Sequence, residues 1–186
     1  IAICHTIFNI VCTALLLPCD KLLERLVCKL VPDGKEEEQV VELDEHLMAV
    51  PSVALERCHS VTADMAAVTK QTYLKGVAIL NHFSKEAEEE IRQGERLTDH
   101  YEDVLGSYLV KLSALELTED AHLEAASLLK AIGDMERIGD HSRNMMEAAR
   151  ELHEKGSSLS DSAKKELAVL TAAVEEIIDT SFRAFL

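Results

Sequence analysis

From residue 52 onward, apolar residues recur at intervals of three and four positions, the spacing of helices with one buried face. No useful stretch alternates apolar and polar residues, as a half-buried β-strand would. The pattern predicts four helices, with approximate bounds 52–81, 84–115, 118–155 and 160–186. Short connections make neighbouring helices antiparallel, so the first three are expected to form an up-down-up bundle.

Residues at the ends of these segments support the predicted bounds. Pro51 precedes the first helix, Ser84 and Thr118 stand where N-caps are needed, and Gly156 follows the third helix as a C-terminal cap. The fourth helix has an apolar face that needs cover. We expect it to fold back on the first three helices or to pair with a second copy of the chain.

The first 32 residues follow a different pattern. Residues 1–19 contain no Lys, Arg, Asp or Glu, and the run is about long enough to cross a bilayer as a helix. A buried core helix or a hydrophobic hairpin is the alternative. Residues 20–31 are amphipathic, and Lys21, Arg25 and Lys29 on their polar side favour a cytoplasmic membrane interface.

These segments give an expected domain organisation. Residues 1–32 are interpreted as the end of a transmembrane domain with an interfacial helix, 33–50 as a linker, and 51–186 as a helical domain. The chain is expected at the cell membrane, with the residues after about 32 on the cytoplasmic side. Because it opens within apolar sequence and lacks an initiator Met, we expect it to be a piece of a longer protein.

Composition and charge narrow the classes of function. Aromatic residues make up 4 % of the chain and Trp is absent, which is typical of a helical protein rich in Ala, Leu, Glu and Lys. The net charge is −15, and the negative charge falls after residue 32. Such a surface repels phosphate backbones, so no nucleic-acid partner is expected. The five Cys residues form no metal or disulfide pattern and indicate small apolar side chains in a reducing compartment.

A five-residue pattern occurs twice and carries the candidate chemistry. Glu95 and Asp99 stand four positions apart, as do Glu136 and Asp140, so each pair shares one face of a helix. Counted from the turn between the second and third helices, the two pairs differ in height by about 4.5 Å. If they face each other, four carboxylates meet, and a hard cation would offset their repulsion.

Several neighbouring residues lie within about a turn of these pairs. The candidate additional ligands are Glu102, Asp103, Asp134, His141 and Asn144. The alternative is a solvated acidic face in which the carboxylates form ordinary surface ion pairs. The basic residues available for such pairs are Arg96, Lys130, Arg137 and Arg143.

A metal site of the ferritin type is the rival interpretation. Glu56 with His59 and Glu119 with His122 have the Glu-x-x-His spacing of di-iron bundles. Such a site also needs one Glu from each of two other helices at the same height, and the second helix offers none there. No nucleophile motif or phosphate-binding glycine loop occurs, so we do not expect an enzyme.

The residues around the second acid pair resemble the signature of PhoU-family proteins. Residues 135–141 read MERIGDH and are followed by Asn144 and Glu147. Residues 95–99, ERLTD, with Glu102, resemble the partner motif on the preceding helix. The resemblance implies two three-helix repeats whose acidic motifs bind clusters of iron or zinc in some members. Carried over, it points to the same four carboxylates as metal ligands.

Other segments are similar to bacterial Na⁺/phosphate cotransporters that carry a PhoU-like tail. Residues 43–47 and 51–56 resemble their linker, and residues 5–9 with 17–18 resemble their last transmembrane helix. The implied fold is all-α: a transmembrane-like helix, an antiparallel three-helix bundle forming one repeat at 51–156, and the start of a second, truncated repeat at 157–186.

The resemblance also implies a function. PhoU proteins are negative regulators of phosphate uptake and signalling, so a fused copy would regulate its own sodium-dependent phosphate transporter. The expected partners are the membrane, the transporter domain, inorganic phosphate, sodium and a second copy of the chain. The Gln-Ser-Ser-Ser-type substrate motifs of the transport domain are absent, so the chain is not expected to transport phosphate alone. A purely structural tail that mediates docking or dimerisation, without metal, is the alternative.

Overall fold

The computed structural model describes residues 5, 6, 8 and 43–185. In this part of the chain every regular element is helical. A 3₁₀ helix at Glu45–Ala49 is followed by α1 (Pro51–Ile79), α2 (Lys85–Ser113), α3 (Glu119–Glu154) and α4 (Asp161–Phe185). The four helices predicted from apolar periodicity are confirmed, with their ends displaced by only a residue or two.

The predicted caps form for local chemical reasons. Ser84 Oγ accepts a hydrogen bond of 3.1 Å from the backbone N–H of Ala87, and Thr118 Oγ1 accepts one of 3.3 Å from Ala121. Each bond satisfies an N–H group that the first turn of a helix leaves without a backbone partner. Gly156 has φ of 62°, the left-handed conformation that ends many helices.

Contacts between the helices establish the up-down-up order. Glu88 near the start of α2 pairs with Arg150 near the end of α3, whereas Gly106 near the end of α2 approaches Ile132 of α3. These two helices are therefore antiparallel. Lys75 near the end of α1 pairs with Glu90 near the start of α2, so α1 and α2 are antiparallel as well. Each of the three helices packs against the other two.

The apolar core is divided into two clusters along the bundle. The larger one includes Met65, Leu105, Leu109 and Leu128, all fully buried. The smaller one lies at the opposite end and consists of Ile79, Ile91, Met146 and Ala149. Each fully buried large aliphatic side chain stabilises the fold by about 1.5–3 kcal/mol relative to exposure. Cys58, a free thiol in the larger cluster, has its pKa raised to about 11 by burial.

Helix α4 folds back on α1, which agrees with the expectation that it packs against the first three helices. Ile178 is buried, and Phe182 and Phe185 pack against the larger core cluster. Lys70 of α1 and Asp179 of α4 form an ion pair of 2.5 Å. Three large apolar side chains of α4 remain exposed: Val169, Leu170 and Ile177.

The end of the segment interpreted as a linker has structure of its own. Asp44 caps the 3₁₀ helix by accepting from the His46 N–H at 2.9 Å, and its carbonyl oxygen accepts from the Tyr108 hydroxyl at 3.0 Å. Leu47 and Met48 pack against the larger core cluster. These contacts place residues 44–49 against the bundle.

The transmembrane helix expected within residues 1–19 and the interfacial helix expected at 20–31 lie almost wholly outside the described residues. Within the described part of the chain, no helix combines the length and apolar character that crossing a membrane requires.

Candidate functional site

The two acid pairs meet at the contact between α2 and α3. Glu95 and Asp99 stand on α2 and Glu136 and Asp140 on α3, and the pKa values of Glu95, Asp99 and Glu136 are each raised by a carboxylate on the opposite helix. The antiparallel register brings them level, as the counting of residues from the turn predicted. The helix 2–3 turn at 114–118 keeps the register because it is short.

Burial and mutual repulsion disfavour the charged forms of three of these carboxylates. Burial raises the pKa of Glu95, and the charges of Asp99 and Asp140 raise it further. Burial also raises the pKa of Asp99, with Asp140 adding to the effect. The pKa of Glu136 is raised by burial and by the charges of Asp140 and Asp99. Asp140 is therefore the common neighbour of the other three, and a positive charge among them would relieve the repulsion.

Arg143 supplies positive charge to this cluster from one turn beyond Asp140. Its Nη1 lies 3.0 Å from Glu95 Oε1, and its Nη2 lies 3.6 Å from Asp140 Oδ1. The Glu95 side chain is only 9 % exposed, so this pair is partly desolvated. Arg143 lowers the pKa of Glu95, but burial and the nearby carboxylates outweigh it. One guanidinium thus offsets part of the charge of four carboxylates.

The additional candidate ligands divide into two groups. Glu102 raises the pKa of Glu136 and Asp103 raises that of Asp99, so both lie close to the cluster on α2. Asp134, His141 and Asn144 are exposed on α3. Neither a hydrogen bond nor an ion pair joins these three residues to the cluster within the described part of the chain.

The donor set fits a hard cation better than a soft one. The acid pairs offer only carboxylate oxygens, which suit ions such as Mn²⁺, Mg²⁺ or Fe³⁺, whereas zinc sites favour nitrogen and sulfur ligands. Among the residues that the structure describes, no group of three or more His, Cys, Asp or Glu side chains is arranged to hold a metal ion. Coordination would therefore require the carboxylates to change rotamer and Arg143 to move.

The alternative of a solvated face with ordinary ion pairs applies to part of the cluster. Of the four basic residues that the sequence places near the acid pairs, Arg143 makes the ion pairs seen with Glu95 and Asp140. Arg96, although it adjoins Glu95 in the chain, pairs with Glu89 at 3.2 Å.

A cleft near the start of α1 was not predicted as a site. His59 Nε2 lies 2.7 Å from Glu124 Oε1 of α3, and the surrounding cleft of about 610 Å³ is also lined by Glu56, Glu116 and Asp120. His59 thus pairs with Glu124 and not with the second Glu-x-x-His motif, whose His122 is exposed. The Glu-x-x-His spacing indicated His59 as a candidate ligand. No feature of the sequence indicated Glu124, which lies on the neighbouring helix α3.

Comparison with known proteins bears on the bundle that carries the acid pairs. Residues 62–149 match the PhoU domain. The match begins in α1, contains all of α2 and ends within α3, so it includes all four carboxylates and Arg143. The all-α bundle agrees with a PhoU-like fold, and at the level of the family the match indicates a role in phosphate regulation. No curated protein and no solved structure matches the chain.

Proposed function

We propose that the chain is a metal-binding, PhoU-like regulatory tail of a sodium-dependent phosphate transporter. The PhoU match supports the regulatory part of this proposal. The meeting of Glu95 and Asp99 with Glu136 and Asp140 supports metal binding, and it is the observation that carries the proposal. The transporter context rests on the resemblance of the linker and of residues 5–9 and 17–18 to cotransporters with such tails.

The chain's own residues divide the work at the site. The four carboxylates would hold the ion, and Glu102 and Asp103, which act electrostatically on Glu136 and Asp99, are the candidates to complete its shell. The bound ion supplies concentrated positive charge, which phosphate oxygens can bind. If these carboxylates held an ion, the Arg143 guanidinium would no longer be needed by Glu95 and Asp140, and its planar donors would suit an anion. Occupancy of the site by metal or phosphate would then alter the contact between this domain and the transporter domain.

Metal analysis of the purified protein tests the first step of this proposal. We expect wild type to retain metal or to bind Mn²⁺, Fe²⁺ or Zn²⁺ by titration calorimetry, and Glu136→Ala and Asp140→Ala to bind far less. Phosphate is then titrated into the loaded and metal-free forms, with sulfate as the control anion. If wild type holds no more metal than the two variants, the metal-binding function is wrong.

A structural tail for docking or dimerisation is the second candidate. The exposed side chains of Val169, Leu170 and Ile177 on α4 favour it, because a row of this kind commonly meets another apolar surface. Light scattering coupled to gel filtration distinguishes the candidates: dimerisation that Leu170→Glu abolishes, in a protein that binds no metal, supports the structural tail alone.

A further inference from the structure

The three helices approach one another through glycines at the height of the acid pairs. At each interface a glycine packs against a hydroxyl-bearing residue of the neighbouring helix, and this layer separates the two apolar core clusters. The three contacts are Gly94 with the Thr72 side chain, Gly139 with the Thr98 side chain, and Gly76 with the Ser142 backbone and the Met145 side chain. Small residues allow close helix approach here, and the hydroxyls donate to carbonyl groups one turn earlier in their own helices.

The contact between α2 and α3 joins equivalent positions of the duplicated acidic pattern. Thr98 is the fourth residue of the first pattern, and Gly139 is the fourth residue of the second. Thr98 is fully buried and Gly139 is buried too, directly beside the acidic residues Asp99 and Asp140. A Cβ atom added to Gly139 would lie 3.4 Å from Thr98 Cγ2 and 3.5 Å from its Cβ.

Thr98 and Gly139 fill the space between α2 and α3 at this height. A methyl group at position 139 would just reach ordinary van der Waals contact, so alanine fits. The additional γ atoms of a larger side chain would press on the α2 backbone or on Thr98. Because close-packed interiors absorb such volume by shifting the backbone, α2 and α3 would separate. The carboxylates stand on these same two helices, so their spacing would increase with it.

We propose that Thr98 and Gly139 are positioning residues that set the distance between the two acid pairs. They touch no ion themselves, and their effect on the site passes through the separation of the helices. This inference rests on the proposed metal-binding function for its affinity measurement, but the helix separation itself does not depend on metal.

The test compares substitutions of matched chemistry on the same helix. Gly139→Thr places two threonines against each other, whereas Gly133→Thr makes the same change where an added Cβ meets nothing within 4 Å. Both cost similar helix propensity. The double variant Thr98→Gly/Gly139→Thr exchanges the two residues and restores one small and one larger partner at the contact.

Mn²⁺ affinity and metal-free crystal structures are the two readouts. We expect Gly139→Thr to weaken Mn²⁺ binding by about tenfold or more, because sites loosened by about 1 Å lose function. Gly139→Ala, Gly133→Thr and the exchange variant should stay within about threefold of wild type, a difference below 1 kcal/mol. The Cα separation of residues 98 and 139 should widen in Gly139→Thr and return in the exchange variant.

Each outcome decides the inference. If Gly139→Thr folds with unchanged helix separation, or if Gly133→Thr weakens Mn²⁺ binding equally, the positioning role is wrong. If wild type binds no Mn²⁺, the proposed function loses support, and the positioning role is judged from the helix separation alone. Should Gly139→Thr fail to fold by circular dichroism, Gly139→Ser carries the same comparison with one γ atom fewer.

Discussion

Asp140→Asn is expected to stabilise the metal-free protein while removing its response to metal. Asp140 raises the pKa values of Glu95, Asp99 and Glu136, so its charge repels all three. Asparagine keeps the size of the side chain and removes that charge. A metal ligand is expected to destabilise the protein when the ion is absent and to be required for stabilisation by the ion.

The magnitude follows from the contacts of Asp140. Relief of three like-charge interactions gains about 0.2–0.5 kcal/mol each. Loss of the 3.6 Å contact with Arg143 costs no more than about 0.5 kcal/mol, since both side chains are more than two-fifths exposed. The net gain in the free energy of unfolding is about 0.5 kcal/mol, which raises Tm by about 1–2 °C in a domain of this size.

The effect of metal on wild type is larger and of the same sign. An ion present at about 100 times its Kd stabilises the folded state by about 2.7 kcal/mol. At about 3 °C per kcal/mol, Tm should rise by about 8 °C. In Asp140→Asn most of this increase should be absent, so the variant is more stable than wild type without metal and less stable with it.

Differential scanning calorimetry after chelation, and again with Mn²⁺, Fe²⁺ or Zn²⁺, measures both effects. Asp134→Asn is the matched control, because Asp134 is exposed on the same helix and makes no ion pair with the cluster in the described residues. It should behave as wild type in both states. The four-carboxylate site is refuted if no ion raises the Tm of wild type, or if each ion raises that of Asp140→Asn equally.

Three further predictions follow from the same structure. Arg143→Gln should destabilise the metal-free protein by about 1–3 kcal/mol, since it leaves the buried Glu95 carboxylate without its partner. The same change should tighten Mn²⁺ binding, as measured by calorimetry. Weaker Mn²⁺ binding in the variant would show that Arg143 assists binding of the ion instead. Glu95, Asp99 and Glu136 have raised pKa values in the folded state. Their contribution to stability is therefore complete below their unfolded-state pKa values and is lost as pH rises through their folded-state pKa values. Urea unfolding of the metal-free protein should therefore show the advantage of Asp140→Asn growing as pH rises from acidic to neutral, whereas metal affinity should fall on acidification; an advantage independent of pH would contradict the repulsion. Leu109→Ala should lower the free energy of unfolding by about 2–5 kcal/mol in urea titration, because Leu109 is fully buried in the larger core cluster; a loss below about 1 kcal/mol, typical of surface positions, would contradict this core assignment.

The predictions from sequence succeeded where short-range rules apply. Helix ends depend on chemistry within a turn, so Ser84, Thr118 and Gly156 marked them correctly. The level meeting of the acid pairs also followed from sequence, because a short turn and a constant rise per residue fix the heights of positions on antiparallel helices. The metal-ligand role of these carboxylates stays a prediction.

Other features depended on how the helices rotate about their own axes. Counting residues gives the height of a side chain but not the neighbour it meets across an interface, so the partner of His59 proved to be Glu124. The sequence likewise offered four basic residues as possible counter-ions. Only the distances in the structure identify Arg143 as the one that pairs with Glu95 and Asp140.

The sequence by itself therefore determined the helices, their order and the height of the duplicated acidic pattern, because these depend on local periodicity, capping and turn length. Only the tertiary structure decided that Glu95 is buried, that one guanidinium spans the two helices, and that Thr98 meets Gly139 behind the carboxylates. These features arise from side-chain packing between segments distant in the chain, and packing at that scale depends on every neighbour at once.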